Sequence, residues 1–158
     1  MHNAEHDALQ AAYDAYSDLL YRVALSHLQN SEDALDAVQD VFLKLHTSRK
    51  SFRDRDHERA WLLRVTVNRC HDLARRRNIR AYTPLEDVEH LASQENERPA
   101  VLREVDLLPQ GLKSAVVLHY LEGFSVDETA SVLKLSPSAV KMRLSRARDH
   151  LRSALQGE

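Results

Sequence analysis

The sequence predicts an all-α protein, built from two small helical domains that are joined by a flexible linker. Three glycines and four prolines interrupt 158 residues, and apolar residues recur at helical spacing through most of the chain. Residues 81–99 lack such a stripe and carry a net negative charge, with Pro84 and Pro99 at their edges. We therefore expect one domain over residues 1–80, an acidic linker over 81–99 and a second domain over 100–158.

The charge of the chain is arranged in blocks. Its formal net charge is −2, which is not that of a bulk nucleic-acid binder. Among the charged side chains, acidic ones predominate in residues 1–48 and basic ones in residues 49–80. Basic side chains return along the last helix. Blocks of opposite charge suggest separate surfaces that meet separate partners.

The sequence contains no signal for export, membrane insertion or catalysis. Uncharged runs are too short to span a membrane, and the polar, acidic N-terminus does not resemble a signal peptide. Cys70 is the single cysteine, so we expect a cytoplasmic protein without an internal disulfide. His2 and His6 lie four residues apart without a third ligand, and no nucleophile has a paired base. We therefore expect no metal, no cofactor and no enzymatic activity.

The first helix is expected from about Glu5 to Leu28, and the second begins at Asn30 and Ser31, which are common capping residues. The expected core residues of the first helix are Leu9, Tyr13, Tyr16, Leu20 and Val23. Those of the second helix are Leu35, Val38, Phe42 and Leu45.

Other faces of the second helix carry Asp36, Gln39, Asp40 and Leu43. Leu43 supplies an apolar centre beside acceptors that suit an arginine on a partner, which favours a protein-docking surface. A solvated acidic face is the simpler alternative.

A charged loop around Phe52, over residues 47–57, is expected to precede a third helix from about Glu58 to Arg77. The core stripe of this helix is Leu63, Val67, Cys70 and Ala74. A second stripe is Trp61, Arg64, Asn68, His71 and Arg75, and Arg76 extends its charge. Cations, an amide and an aromatic ring at helical spacing suit contacts with phosphates, base edges and an unpaired base. The alternative is a buried tryptophan beside solvated arginines.

The second domain is predicted to contain four helices. Leu102, Val105 and Leu108 indicate a helix that stops before Pro109. Leu112, Val116 and Tyr120 indicate another, which ends at Gly123.

The last two helices form a predicted helix-turn-helix. A capping box of Ser125 and Glu128 starts the short first helix, and Ser136 with Pro137 starts the second. Lys134 occupies the turn, where glycine is more usual. The apolar stripe of the second helix is Val140, Leu144, Ala147, Leu151 and Leu155. Such a second helix is suited to the major groove of DNA.

Candidate DNA contacts flank that stripe: Ser138, Lys141, Met142, Arg143, Ser145, Arg146 and Arg148. An ordinary helical hairpin with a solvated basic face is the alternative.

Three segments together resemble the extracytoplasmic-function (group IV) sigma factors of bacterial RNA polymerase, in the sigma-70 superfamily. The first is DAVQDVF over residues 36–42, which follows the family pattern D-x-x-Q-[DE]-x-F. The second is AWLLRVTVNRCHDLARRR over residues 60–77, an aromatic-led helix that ends in an arginine run. The third comprises LP at 108–109, GFS at 123–125 and VKMRLSRAR at 140–148.

The resemblance implies a division of labour among these surfaces. The face of Asp36, Gln39, Asp40 and Leu43 would dock on the clamp coiled coil of core RNA polymerase, and the second domain would contact its flap. Helix three and the loop before it would recognise the near promoter element and hold a flipped-out base. The last helix would read the far element as duplex, and an anti-sigma factor would sequester the protein.

Departures from the family pattern leave the far promoter sequence open. Ser138 and Ala139 stand where many relatives have Gly-Thr, and Lys134 replaces the common turn glycine. Two other classes of protein also remain: a stand-alone helix-turn-helix regulator, which would not need the docking face, and an adaptor or anti-sigma protein, which would not need the base-reading row.

Overall fold

The computed structural model describes residues 2–79 and 98–157, and all regular structure within those ranges is helical. The helices are α1 (His2–Leu28), α2 (Ser31–Ser48), α3 (Arg55–Ile79), α4 (Ala100–Asp106), α5 (Gln110–Val116), α6 (Val126–Leu133) and α7 (Pro137–Gln156). The predicted all-α class with two helical units is confirmed. Residues 81–97, most of the expected linker, lie outside the described residues.

Helices α1 to α3 pack around one apolar core in the first half of the chain. Leu20 and Val23 from α1, Val41 from α2 and Leu63 from α3 are fully buried. Tyr13 was expected in this core but is half exposed, because its ring lies at the edge of the helix pair, where it contacts Phe42 at a centroid distance of 5.1 Å.

The buried face of α2 matches the predicted one at Val38 and Phe42 and differs at Leu35. Its buried residues are Ala34, Ala37, Val38, Val41 and Phe42. Leu35, which was expected to be buried, is 52% exposed. The prediction followed the bulkiest side chains, but the helix turns its alanines inward, since small residues let α2 approach its neighbours closely. The capping prediction is confirmed, because Asn30 Oδ1 accepts a hydrogen bond from the Asp33 amide at 3.0 Å.

Helix α3 begins three residues earlier than predicted. The Asp54 carboxylate accepts a hydrogen bond from the His57 amide at 2.8 Å, which caps the first turn of α3 from Arg55 onward. The predicted loop over 47–57 is therefore shorter, because α2 runs to Ser48 at its other end.

The helix after Pro109 is not regular throughout. Helix α5 continues into a π-helical turn over Val117–Leu121, in which the Glu122 amide donates to Val117 O at 3.0 Å, five residues back. Such a turn adds a residue and rotates everything that follows. Tyr120, predicted in the core, is consequently 51% exposed. Gly123 ends the segment with a φ of +78°, as predicted.

The helix-turn-helix forms as the sequence predicts. Ser125 and Glu128 exchange hydrogen bonds of 3.0 and 2.9 Å as a capping box, and Lys134 takes the left-handed conformation at the turn. Ser136 Oγ caps α7 by accepting from the Ala139 amide at 3.1 Å. Val140, Leu144 and Ala147 are buried and Leu151 is partly buried. Leu155, which was expected in the same stripe, is exposed because it lies at the C-terminal end of α7, past the neighbouring helices.

The two halves of the chain are packed against each other. Helix α3 contacts α6, and α1 contacts the π-helical turn. Val117, Leu118, Phe124 and Val132 of the second half belong to the same buried apolar cluster as the core of the first half. This packing was not predicted from the sequence.

Candidate polymerase and nucleic-acid interfaces

The predicted docking face on α2 is largely open to solvent. Asp36, Gln39 and Leu43 are all exposed, and Leu43 shows 61% of its surface. Their positions at i, i+3 and i+7 place them on one side of the helix. An exposed leucine beside a carboxylate and an amide is compatible with a protein-contact surface, and the docking role stays a prediction.

Asp40, the fourth residue of this face, is held from within the first half. Its Oδ2 accepts a hydrogen bond from Arg69 Nε on α3 at 2.7 Å, and both side chains are partly buried. The pair ties α2 to α3 and fixes the carboxylate, so Asp40 has a structural partner as well as a place on the predicted face.

A cleft of about 510 Å³ lies between the N-terminal part of α1, the end of α2 and the loop before α3. It is lined by Glu5, Ala8, Leu9, Leu45, His46, Arg49, Lys50, Ser51, Phe52, Asp54, Arg55 and Glu58. The volume lies in the range of small-ligand sites. The loop was predicted, but none of its basic residues was a candidate for binding. Their position at the start of the basic block is the sequence feature that could have identified them.

Trp61 supports this loop. It is 7% exposed, its ring packs on Phe52 with centroids 5.7 Å apart, and Lys50 Nζ lies 5.4 Å from its ring centroid. The alternative in which Trp61 is buried therefore describes this structure. Its contact with DNA stays a prediction. In this conformation the ring packs against Phe52 and supports it.

Arg64 of the predicted base-reading row is engaged by the second half of the chain. Its Nη2 donates to Ser131 O at 2.7 Å and its Nε to Val132 O at 3.0 Å. These carbonyls lie in the last turn of α6, where the helix dipole is negative and carbonyls lack helical partners. Burial lowers the pKa of Arg64 from its ordinary value, and the guanidinium remains charged.

His71 of the same row is also engaged. Its Nε2 lies 2.8 Å from Ser114 Oγ on α5, and the same hydroxyl lies 2.9 Å from Nε2 of His27 on α1. His27 Nδ1 lies 2.8 Å from Val23 O, which can only accept, so Nδ1 carries the hydrogen and Nε2 accepts from Ser114. The single hydroxyl hydrogen is thereby used, and His71 donates to Ser114.

The pKa values of these groups reflect their burial. Desolvation lowers the pKa of His27 to about 4, with the positive charge of Lys113 adding to the effect. Desolvation also lowers the pKa of His71, followed by repulsion from Arg75. Lys113 itself is 2% exposed, and desolvation lowers its pKa to about 8.

The remaining members of the row are exposed and lie in the C-terminal half of α3. Asn68, Arg75 and Arg76 are exposed, with Arg75 paired to Asp72 one turn away. Arg77 is used within the first half instead: it pairs with Asp33 and donates to Leu28 O at 2.7 Å.

The candidate face of α7 is mostly exposed. Its exposed members are Ser138, Lys141, Met142, Ser145, Arg146 and Arg148. Arg143 differs, since it lies over Gly111 and donates to the carbonyl of that residue at 3.2 Å. A Cβ at position 111 would lie 2.6 Å from the guanidinium, so glycine is needed for this approach. Arg148 donates to Tyr120 Oη at 2.8 Å.

The described residues offer no alternative metal-binding or membrane-spanning chemistry. Residues 2–79 and 98–157 contain no group of three or more His, Cys, Asp or Glu side chains placed to hold a metal ion. None of the helices there combines the length and apolar character needed to cross a membrane. Burial raises the pKa of the Cys70 thiol to about 12.

Comparisons with known proteins agree with this arrangement. The sigma-70 region 2 family model matches residues 12–79, and the sigma-70 region 4 model matches residues 98–151. The ECF RNA polymerase sigma factor SigM of Mycobacterium tuberculosis (strain ATCC 35801 / TMC 107 / Erdman) is 37% identical over 161 residues, which is 94% of this chain and 82% of that protein.

Solved structures resemble both halves together. CnrH in complex with the cytosolic domain of CnrY superimposes with a TM-score of 0.71 at 28% identity, over 97% of this chain and 90% of that one. The sigma factor RpoE of Bartonella quintana, in complex with the anti-sigma factor NepR, has a TM-score of 0.68 at 21% identity over 93% and 96% of the two chains, a likeness of fold. The chain belongs to the sigma-70 family, as an extracytoplasmic-function (ECF) RNA polymerase sigma factor.

Proposed function

We propose that this sigma factor docks on the clamp coiled coil of core RNA polymerase through the exposed side of α2. The observation that carries the proposal is the solvent-exposed group of Leu43, Asp36 and Gln39. A leucine at the centre of a polar face suits a partner that supplies an apolar contact and arginine or lysine donors. A stand-alone DNA-binding protein would have no use for such a face.

The loop and cleft before α3 are proposed to hold an unpaired base of the near promoter element. Phe52 supplies an aromatic surface, and Arg49 and Lys50 supply charges for the adjoining phosphates. Base capture offsets the unstacking free energy of a few kcal/mol, which helps to open the duplex. Asn68, Arg75 and Arg76 extend the contact along α3.

The far promoter element is proposed to lie against α7. Ser138, Lys141, Met142 and Ser145 are nearest the bases in this proposal, while Arg143, Arg146 and Arg148 contact phosphates. The exposure of Lys141 and Met142 supports it, because side chains that read base edges must be free to reach into the groove. The proposed domain limits remain 1–80 and 100–158, and the second domain is also proposed to meet the polymerase flap.

Control of this chain is proposed to come from a partner protein. An anti-sigma factor that covers the α2 face would prevent polymerase docking, and the relative CnrH was solved with the protein partner CnrY. We propose that the chain acts in the cytoplasm by binding alone, without a catalytic step of its own.

In vitro transcription tests the proposal. Purified chain would be mixed with sigma-free core polymerase and fragmented genomic DNA from its own source, and transcript starts would be mapped. Discrete starts that share two upstream motifs and require the chain are expected. Specific duplex binding without starts would instead favour a stand-alone regulator, and polymerase binding without starts would favour an adaptor.

The docking face is tested by Asp36→Arg and Leu43→Glu. Each should abolish polymerase binding without loss of helical circular dichroism, because both side chains are exposed. Asp18→Arg is the matched control, an exposed charge reversal on α1. Asp40→Arg is a weaker test, since it also breaks the Arg69 pair. Unchanged binding by both face variants would contradict the assignment.

A further inference from the structure

A cavity of about 160 Å³, the seam cavity, lies where the two halves of the chain meet. Its walls belong to α3, α5, α6, the turn of the helix-turn-helix and α7, so both halves are needed to form it. Three of its lining side chains are cationic: Arg64 of α3, Lys134 of the turn and Arg143 of α7. Among the described residues, no carboxylate lines it. A cleft whose charges have one sign attracts and concentrates anions.

The two arginines of the seam cavity use neutral acceptors, which leave their charge uncompensated. Arg64 donates from Nε and Nη2 to Val132 O and Ser131 O, and Arg143 donates from Nη1 to Gly111 O. Within residues 2–79 and 98–157, neither guanidinium is paired with a carboxylate, and each has N–H groups without an acceptor. Planar guanidiniums held in place by carbonyls are well suited to bind the oxygens of a phosphate group.

Two further polar side chains of the seam cavity are available to a ligand. Lys134 and Asn68 both line it and both are exposed. Neither the Lys134 ammonium nor the Asn68 amide has a hydrogen-bond partner in the part of the chain that the structure describes. An ammonium and an amide thus add donors beside the two guanidiniums.

The positive field of the seam cavity acts on His71, which also lines it. Desolvation lowers the pKa of His71, followed by repulsion from Arg75, and Arg143 and Lys113 add to the effect. Asp72 opposes them, but its carboxylate is already paired with Arg75. The surroundings of the cavity therefore leave its positive charge in place, and a bound anion would compensate it.

The size of the seam cavity limits what it can hold. Drug-sized ligands need about 300–1,000 Å³, so a cavity of about 160 Å³ suits a compact anion instead. A second cavity of about 430 Å³ also has Asn68 and His71 in its lining, so the two are adjacent. Gln110 lines the second cavity, and its buried amide oxygen has no hydrogen-bond donor among the described residues. A larger group attached to the anion has room there.

We propose that the seam cavity is a binding site for a pyrophosphate group, either as the free anion or as the end of a nucleoside diphosphate. Arg64 and Arg143 bind its oxygens from opposite halves of the chain, and Lys134 balances its remaining charge. Because the site needs both halves, the bound anion stabilises the arrangement in which they are in contact. The proposed contacts with DNA are not needed for this binding.

Calorimetric titration of the whole chain with sodium pyrophosphate tests the site, with sodium sulfate at equal ionic strength for comparison. We expect saturable one-to-one binding, at least about tenfold tighter than that of sulfate. Lys134→Asn removes the ammonium but tolerates the left-handed backbone, and it should weaken binding by about tenfold. Lys44→Asn, an exposed lysine on α2, is the matched control and should change nothing.

The position of Arg143 is tested without removing its charge. A Cβ at position 111 would lie 2.6 Å from Arg143 Nη1, so Gly111→Ala displaces the guanidinium. This variant should weaken pyrophosphate binding several-fold while helical circular dichroism stays unchanged. Sulfate and pyrophosphate that bind equally, or pyrophosphate affinity that survives both Gly111→Ala and Lys134→Asn, would overturn the proposal, because the anion would then lie elsewhere.

Two further measurements identify the source of the anion and the state that binds it. Adenosine and guanosine diphosphates that bind at least about tenfold tighter than pyrophosphate would identify a nucleotide, whereas equal or weaker binding would identify the free anion. Small-angle X-ray scattering should show that saturating pyrophosphate leaves the radius of gyration of the free chain unchanged or smaller. An increase would overturn the proposal, since the site requires both halves in contact.

Discussion

The two surfaces that are proposed to contact DNA differ in their exposure to solvent. On α7, Lys141, Met142 and Ser145 point into solvent, and the buried stripe of the same helix faces its own domain. On α3, Arg64 and His71 are bound to the second half of the chain. The proposed far-element surface is exposed, whereas part of the proposed near-element surface is covered by the second half of the chain.

The difference teaches that residue type alone does not determine whether a basic stripe is accessible. Both helices carry arginines at helical spacing, and both were predicted to contact DNA. The last-turn carbonyls of α6 satisfy Arg64 as a phosphate would, so a guanidinium that suits nucleic acid also suits a helix C-terminus. Substitutions that remove one surface entirely should have the largest effects, and those that adjust the contact between the two halves should have the smallest.

Val140→Asp should have the largest effect. Val140 is fully buried on the inner face of α7. An unpaired carboxylate at this position should reduce the free energy of unfolding of the second half by about 3–5 kcal/mol. Urea unfolding followed by circular dichroism measures the loss, and far-element binding should disappear while polymerase docking survives. Met142→Asp, the same substitution on the exposed face, should leave stability nearly unchanged; equal destabilisation by both would contradict the assigned faces.

Lys141→Ala should weaken far-element binding by about 1–3 kcal/mol if the side chain reads a base. The loss should already appear with the free chain, because α7 is uncovered. Fluorescence anisotropy with a duplex that carries the mapped far element measures it. Arg152→Ala is the control, since Arg152 is exposed at the end of α7 and pairs with Asp149. A loss seen only with polymerase present would place α7 among the covered surfaces.

Acidification should weaken the contact between the two halves. Desolvation lowers the pKa of His27 to about 4 when the halves are closed, and separation returns the ring toward its ordinary pKa of 6.5. Above pH 6.5 the ring is neutral in both states. As the pH falls from 6.5 toward 4, the open state binds a proton that the closed state excludes, so the closed-to-open ratio falls about tenfold per pH unit.

The groups that face His27 support this sign. His71 on α3 has a lowered pKa too, through desolvation and then repulsion from Arg75, with Asp72 opposing it and Arg143 and Lys113 adding to it. On α5, Lys113 repels a second cation. Scattering measured from pH 8 to pH 5 checks the expansion. His27→Gln should flatten the curve, whereas the exposed His150→Gln should not; a radius that stays constant would exclude the titration.

Glu122→Gln should have the smallest effect. It removes the ion pair with Arg22, whose side chain is 57% exposed, whereas the Glu122 side chain is 10% exposed. Because one partner is solvated, the free energy of the contact between the two halves should change by about 1 kcal/mol or less. Added salt should reproduce part of the change in the unmodified chain, because the exposed Arg22 end of the pair is screened. Scattering over a salt series measures both, and a full opening by this single variant would mean that the apolar seal is weak.

Local structure was predictable because its causes are local. The capping box of Ser125 and Glu128 and the left-handed Lys134 each involve neighbours in sequence, and both formed as predicted. Predictions from apolar size were less accurate: the inward face of α2 uses Ala34 and Ala37, and the π-helical turn moved Tyr120 outward.

The contact between the two halves could not be predicted from periodicity. Val132 and Leu118 satisfy a helical stripe whether they face their own domain or another one. Arg64 and His71 have the same sequence signature when they bind phosphate and when they bind a carbonyl or a hydroxyl. Only the three-dimensional pairing of α3 with α6 distinguishes these cases.

The distance between the two halves during polymerase binding tests this account most directly. Donor and acceptor dyes on Asp18→Cys and Arg152→Cys, exposed positions on α1 and α7, would report it by energy transfer in a Cys70→Ala background. The account predicts high transfer in the free chain, a decrease when core polymerase is added and a further decrease with promoter DNA. Low transfer in the free chain, or transfer that polymerase and promoter leave unchanged while transcription starts normally, would contradict it.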